Sequence, residues 1–134
     1  MAEMLSGVCV LKDLFNIADY QDQIRWQPFR PGVEIHSIYA ATNDDGPAAA
    51  LLRFAPGARV DLHEHRGLEH ILVLAGSQVD QNGYLRAGSL MIHAPGTRHS
   101  IVSHEGCIVL AIYEKRVRFI EEEGTKEMKP TTYD

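Results

Sequence analysis

Two histidines separated by one residue, His63 and His65, are followed after three more residues by Glu69. Five residues lie between Gly57 and His63, and six between Glu69 and Gly76. In a strand successive side chains point to opposite faces, so His63 and His65 share a face and Glu64 takes the other. Two imidazoles on one face suit a divalent transition ion. Gly67 lets the chain turn, and Glu69, at the head of the apolar run 69–75, directs its carboxylate back at the same point. Two nitrogens and one oxygen are an incomplete shell. His99 is the best-placed further donor, delivered by the turn Pro95-Gly96-Thr97-Arg98 to the head of the apolar run 99–102. Imidazole suits zinc, iron, copper and nickel, and the carboxylate adds manganese, so this donor set narrows the ion to a first-row divalent metal.

The remaining polar residues fit less well. His93 lies six residues before His99, where it either supports a ligand or touches a small molecule bound in the interior. His70 follows Glu69 and by alternation faces away from the ion, and Arg66 and Arg98, adjacent to the candidate ligands, do the same. His36 and Arg53 interrupt two apolar strands and face either the interior or solvent. His104 falls in a turn.

The elements that must hold these residues are short and β-prone. Residues 4–11 read as a strand that pairs with the main sheet or with a second subunit, and Asp13 as the cap of a brief helical turn over 14–18. Residues 26–32, with two prolines and a glycine, read as a connection anchored by Trp26 and Phe29. Strands are expected at 33–41 and 48–54, joined by the turn signal Asn43-Asp-Asp-Gly-Pro47, and then along the two histidine-bearing segments. The turn Asp80-Gln-Asn-Gly83 separates 69–79 from 84–85, and further strands follow at 89–92, 99–102, 107–114 and 116–120. Short strands punctuated by glycine and proline, with scarcely any helical periodicity, predict an all-β antiparallel sandwich or barrel. The 134 residues form one domain with its core at about 33–120, an N-terminal arm at 1–32 and a polar tail at 121–134.

Composition bounds the function. A hydrophobic content of 45% and a charged content of 23% are those of an ordinary soluble domain. The formal net charge of −5 argues against a nucleic-acid partner, whose affinity rests on neutralising phosphates. No apolar run approaches the length of a membrane span, and the first residues lack the pattern of a signal peptide, so a cytoplasmic location is expected. Cys9 and Cys107 are far apart and form neither a metal-binding pair nor a disulfide framework.

The first histidine stretch resembles the first cupin motif, G-x5-H-x-H-x3-E-x6-G, at every fixed position and spacing. The second motif, G-x5-P-x-G-x2-H-x3-N, is matched by Gly88, Gly96 and His99. Pro95 sits one place late and Ser103 stands where Asn is usual. The runs 51–57, 69–76, 94–96 and 106–110 are similar to the ChrR-like group of cupins. The resemblance implies a double-stranded β-helix, a small jelly-roll barrel holding one metal and one small ligand. It also implies His63, His65, Glu69 and His99 as ligands. Apolar strands near both termini favour a homodimer.

The same resemblance implies two functions. One is a small non-haem dioxygenase using iron(II) to cleave a diketone-like or other small carbonyl compound. The other is a zinc-binding sensor or regulatory domain like the cupin half of an anti-sigma factor. Anti-sigma relatives carry a separate N-terminal zinc-binding domain with a H-x3-C-x2-C pattern. Residues 1–32 hold a single cysteine and no such pattern, which tilts the expectation toward the enzyme.

Overall fold

The computed structural model of the chain describes residues 2–5, 7–43, 45–120 and 132–133. In chain order the strands are β1 (Ala2–Leu5), β2 (Val8–Leu11), β3 (Gln27–Arg30), β4 (Val33–Ala40), β5 (Ala48–Phe54), β6 (Ala58–Glu64), β7 (Glu69–Asp80), β8 (Gly83–Arg86), β9 (Leu90–His93), β10 (Arg98–Ser103), β11 (Cys107–Tyr113), β12 (Val117–Phe119) and β13 (Thr132–Tyr133). One short helix, α1 (Ile17–Tyr20), lies between two single 3-10 turns. The long sheet runs β13-β12-β6-β10-β7-β11-β5-β4-β3, with β8 and β9 also on β7, and β1 and β2 form a separate hairpin. The sheet curls into a half-barrel of antiparallel strands, the cupin double-stranded β-helix.

Strand alternation sorts the apolar residues into two cores. Val33, Phe54, Val60, Ile71, Val73, Ile101, Cys107, Val109 and Ala111 fill the concave interior. On the opposite face Leu51, Leu74 and Ile108 pack against Ile17 and Ile24 of the N-terminal arm. The middle strands β5, β7 and β11 therefore read as nearly continuous apolar runs, because both of their faces are covered.

Two irregularities in this alternation aim the polar residues. Against β11, Ile108 pairs with Ala75 but Val109 pairs with Val73, so Leu74 is the extra residue of a bulge. Leu74 and Ala75 consequently both face the arm core. Glu69, Ile71 and Val73 face inward before the bulge, and Gln78 and Asp80 do so after it. Gly76 follows the bulge at φ +73°, where a Cβ would stand 2.0 Å from the Gly106 carbonyl oxygen, so no other residue fits this crossing. A second bulge lies in β6, where His63 pairs with His99 but Val60 pairs with Ile101. It brings both Val60 and His63 to the inner face.

The strands expected from 33 onward are present within a residue or two at their ends. Three expectations are corrected. Residues 27–30 are a strand, because at the sheet's edge the missing N–H of Pro28 costs no ladder bond, and the register shifts beside it. Within 2–11 the chain makes its own hairpin through Gly7 instead of joining the main sheet. Asp13 precedes the helical turns but makes no side-chain cap; it sits at φ +61° and its Oδ1 accepts from Asn16 Nδ2 at 2.8 Å. Of the polar tail, 121–131 and 134 lie outside the described residues, and β13 pairs with β12. Among the described residues no helix is long and apolar enough to cross a membrane.

Candidate metal centre

Two cross-strand pairs and one turn residue build the centre. His63 on β6 lies directly opposite His99 on β10, and Glu69 on β7 lies directly opposite His93 on β9. His65 follows the end of β6, held by its own N–H donating to the Thr97 carbonyl at 2.9 Å and by its carbonyl accepting from Gly96 N–H at 2.7 Å. The turn that carries His99 toward the centre thus also fixes the backbone of His65. All five side chains belong to buried residues.

The donor atoms of His65, Glu69, His93 and His99 lie within 4.8 Å of one another. The His63 ring packs edge-on against those of His65 and His99, with centroids at 5.2 Å and 4.6 Å. Three of the four residues singled out in the sequence, His65, Glu69 and His99, thus converge together with His93, while His63 stands beside them through its ring contacts and outside the 4.8 Å group. Glu64 lies on the outer face, paired with Arg98 at 3.0 Å and Arg118 at 3.3 Å. Arg66 binds the Arg116 carbonyl and Asp45. Arg53 also faces outward, held by Glu34 and Asp22 and lying over the Trp26 ring. His36 contacts the Arg25 carbonyl, and His70 is absent from the cluster.

Three of the imidazoles are tethered through Nδ1. His63 Nδ1 lies 2.8 Å from the Asp61 carbonyl oxygen, His65 Nδ1 lies 3.1 Å from the Thr97 carbonyl and 3.0 Å from its hydroxyl, and His99 Nδ1 lies 2.8 Å from Asp80 Oδ2. A carbonyl or carboxylate oxygen only accepts, so in each ring Nδ1 carries the proton and Nε2 presents a lone pair. Asp80 and Thr97 were not among the sequence candidates. Plain alternation from Glu69 turns Asp80 outward, and only the bulge before Gly76 brings it in.

Burial and neighbouring groups set the charge states. Burial pushes the His63 pKa down to about 4, against the opposing effect of the Asp61 carbonyl. Burial likewise lowers His99, although the Asp80 hydrogen bond works against it. Burial would raise Glu69, but contacts with His65 and His93 and the nearby imidazoles hold it down at about 2. Burial would also raise Asp80, and its bonds from His99 and the Asn82 N–H lower it instead. At neutral pH His63 and His99 are held neutral and Glu69 and Asp80 ionised, the protonation states a metal requires of such groups.

The fit to a cation follows from the donors themselves. His65 Nε2 stands 2.9 Å from Glu69 Oε1, yet Nε2 is buried without a hydrogen bond, as is His99 Nε2. Two buried lone-pair atoms at that separation repel unless a cation lies between them. Ligands in cis positions on an ion, each with a bond of about 2.1 Å, stand roughly 3.0 Å apart. His63 and Glu69 also line a cavity of about 60 Å³ walled by Val60, Ile71, Ile101 and Val109, so the centre opens into an apolar lumen. Gln78 lies on the lumen wall, with its buried Oε1 lacking a hydrogen-bond partner. Cys107 sits beside it in the core, where burial raises its thiol to about 11 and keeps it un-ionised.

Comparison with known proteins places the chain. Residues 17–116 match the family model of the ChrR cupin-like domain. The chain is 34% identical over 110 residues to the anti-sigma-E factor ChrR of Cereibacter sphaeroides, covering 77% of this chain and 50% of that protein. It thus spans about half the length of that relative. The solved complex of Rhodobacter sphaeroides SigE with the anti-sigma ChrR is similar at a TM-score of 0.64 and 29% identity, covering 73% of this chain and 54% of that one. A putative acetylacetone dioxygenase from Methylibium petroleiphilum has a TM-score of 0.72 at 15% identity, with coverage of 84% and 85%, a likeness of fold alone. With 100 of its residues under one family model, the chain belongs to the ChrR cupin-like family.

Proposed function

We propose that this chain is a small non-haem oxygenase-type enzyme whose divalent transition ion is held by His63, His65, Glu69 and His99 and whose substrate is a small carbonyl compound of the diketone kind. One observation carries the proposal: the convergent donors open into an apolar lumen rather than being sealed off. Structural metal sites are closed on all sides by protein, whereas catalytic sites keep a position for a small molecule. A cavity of about 60 Å³ limits that molecule to a few heavy atoms beyond the ion.

A bound iron(II) ion would supply Lewis acidity toward two carbonyl oxygens and electrons toward dioxygen. The chain supplies the rest. Val60, Ile71, Ile101 and Val109 exclude water from the lumen, and the Gln78 Oε1 is an acceptor for an enol or hydroxyl proton of the substrate. Asp80, Thr97 and the Asp61 carbonyl hold the imidazole protons on Nδ1 and so keep each Nε2 free to bind.

A second function is favoured by the 34% identity to an anti-sigma factor. In it the ion is zinc, and the lumen reports a small molecule or oxidant to a protein partner without catalysis.

The deciding experiment is elemental analysis of protein purified without an affinity tag or chelator, with His99→Ala prepared alongside. Near-stoichiometric iron that is lost in the variant, together with oxygen uptake on adding small diketones, is the expected result. Zinc in the same place, with no oxygen uptake after exchange for iron, would establish the regulatory role. If neither protein holds or accepts a transition metal, the centre is not a metal site.

A further inference from the structure

His93 occupies a variable position of the second histidine-bearing motif, yet it is buried in the middle of the centre. We infer that His93 is a positioning residue that stacks on His65 and holds the Glu69 carboxylate in its binding position, and is not itself a donor to the ion. The inference rests on the metal centre proposed above.

Ring geometry comes first. The His65 and His93 rings are stacked 4.2 Å apart and only 4° from parallel. An imidazole binds a metal through a lone pair in the plane of its ring, and two separate parallel planes share no point. His65 and His93 therefore cannot both bind the same ion well. The His63, His65 and His99 rings are crossed, at 82°, 70° and 55° pairwise, so their planes can meet at one point.

The choice between His65 and His93 follows from tethering. Ligating histidines nearly always donate their second nitrogen to a fixed acceptor. His65 does so through Thr97, whereas His93 has no such fixed acceptor: its Nε2 makes no hydrogen bond, and its Nδ1 faces only the Glu69 carboxylate, without hydrogen-bond alignment as it stands. His93 has a different neighbour, since its Nδ1 lies 3.3 Å from Glu69 Oε1. The nitrogen of His65 near the same oxygen bears a lone pair, so of these two rings only His93 can offer Oε1 a proton. Glu69 and His93 are direct cross-strand partners on β7 and β9, which fixes this contact through the backbone ladder.

The test is to load the full-length protein with Co(II), record its visible absorption and titrate it against a chromogenic chelator, for the parent, His99→Ala, His93→Asn and His93→Phe. His99→Ala should change the spectrum and weaken binding more than about 100-fold, as loss of a ligand does. His93→Asn, which presents an N–H where Nδ1 stood, should keep the parent spectrum and an affinity within about threefold. His93→Phe keeps the stack but has no donor, and should bind about 10- to 100-fold more weakly without the spectral change of His99→Ala. If circular dichroism shows that His93→Phe does not fold, His93→Gln, whose N–H sits at the Nε2 place, takes its role with the same expected loss. Spectral changes in the His93 variants like those of His99→Ala would make His93 a ligand and overturn the inference. So would parent-like affinity in His93→Phe, or an equal loss in His93→Asn. Failure of the parent itself to take up Co(II) would sink the metal centre, and the role of His93 with it.

Discussion

The two cores of this molecule share strands but do different work. Facing the N-terminal arm, Leu51, Leu74 and Ile108 meet Ile17 and Ile24 in a contact that is apolar throughout. Facing the interior, the same strands supply Val73, Val109 and Ala111, whose wall gives way to Glu69 and four buried imidazoles. The arm core is needed only to hold the sheet curled. The inner core must do that and also keep four imidazoles and a carboxylate dry and aimed. A substitution in the first should therefore change stability alone, and one in the second should change stability and metal binding together.

The largest expected effect tests the arm side of that contrast. Leu51 is fully buried between β5 and the arm, and Leu51→Ala should cost about 2–5 kcal/mol and lower the melting temperature on the order of 10 °C. Its Co(II) or zinc affinity, measured below the new melting transition, should stay within about twofold of the parent. A loss of affinity in step with the loss of stability would show that the two cores are coupled through the shared strands.

The contrast also explains what was legible in the sequence. His63, His65, Glu69 and His99 stand out because their spacing is set by strand alternation and one turn, both local properties of the chain. The strands from 33 onward are legible for the same reason. Asp80 was hidden because its direction depends on the bulge at Leu74, which plain alternation does not foresee; the trace it leaves is a glycine, Gly76, where no Cβ fits. His93 was seen as a helper but not as a member of the cluster, since its place depends on pairing with Glu69 across 24 residues of chain. The strand β3 and the N-terminal hairpin were misread because edge position and strand partner are tertiary facts. The apolar residues of the arm gave no sign of which face of the sheet they would cover.

A smaller effect separates the cores by pH. His63 falls from 6.5 to about 4 on folding because burial penalises its charged form. Between those two values the unfolded chain takes up a proton that the folded chain refuses, so stability of the metal-free protein falls as pH drops from about 6.5 to 4. The full difference is about 3 kcal/mol. Glu69, depressed to about 2, adds a further loss as pH falls below about 4.5. Denaturant unfolding across this range should show a steeper decline for the parent than for His63→Gln, whereas Leu51→Ala should keep the parent's slope. Equal slopes for the parent and His63→Gln would mean that the centre is wetter than its burial indicates.

The smallest expected effect concerns the groups that hold the imidazoles. Asp80→Asn can keep an acceptor for His99 Nδ1–H by turning its NH2 toward the Asn82 N–H, which loses that turn bond, and it removes the charge that strengthens Nε2 as a donor. Metal affinity should fall about tenfold, with a stability loss of about 1 kcal/mol. Thr97→Val removes one of two acceptors for His65 Nδ1, and because the Thr97 carbonyl remains in place at 3.1 Å the loss should be only a few-fold. The order of these two values carries the information. A charged side chain tethering a ligand should matter more than a hydroxyl backed by a carbonyl, and the reverse order in a chelator titration would place the critical tether at His65 and make the turn 94–97, rather than the bulged strand β7, the element that sets the centre's affinity.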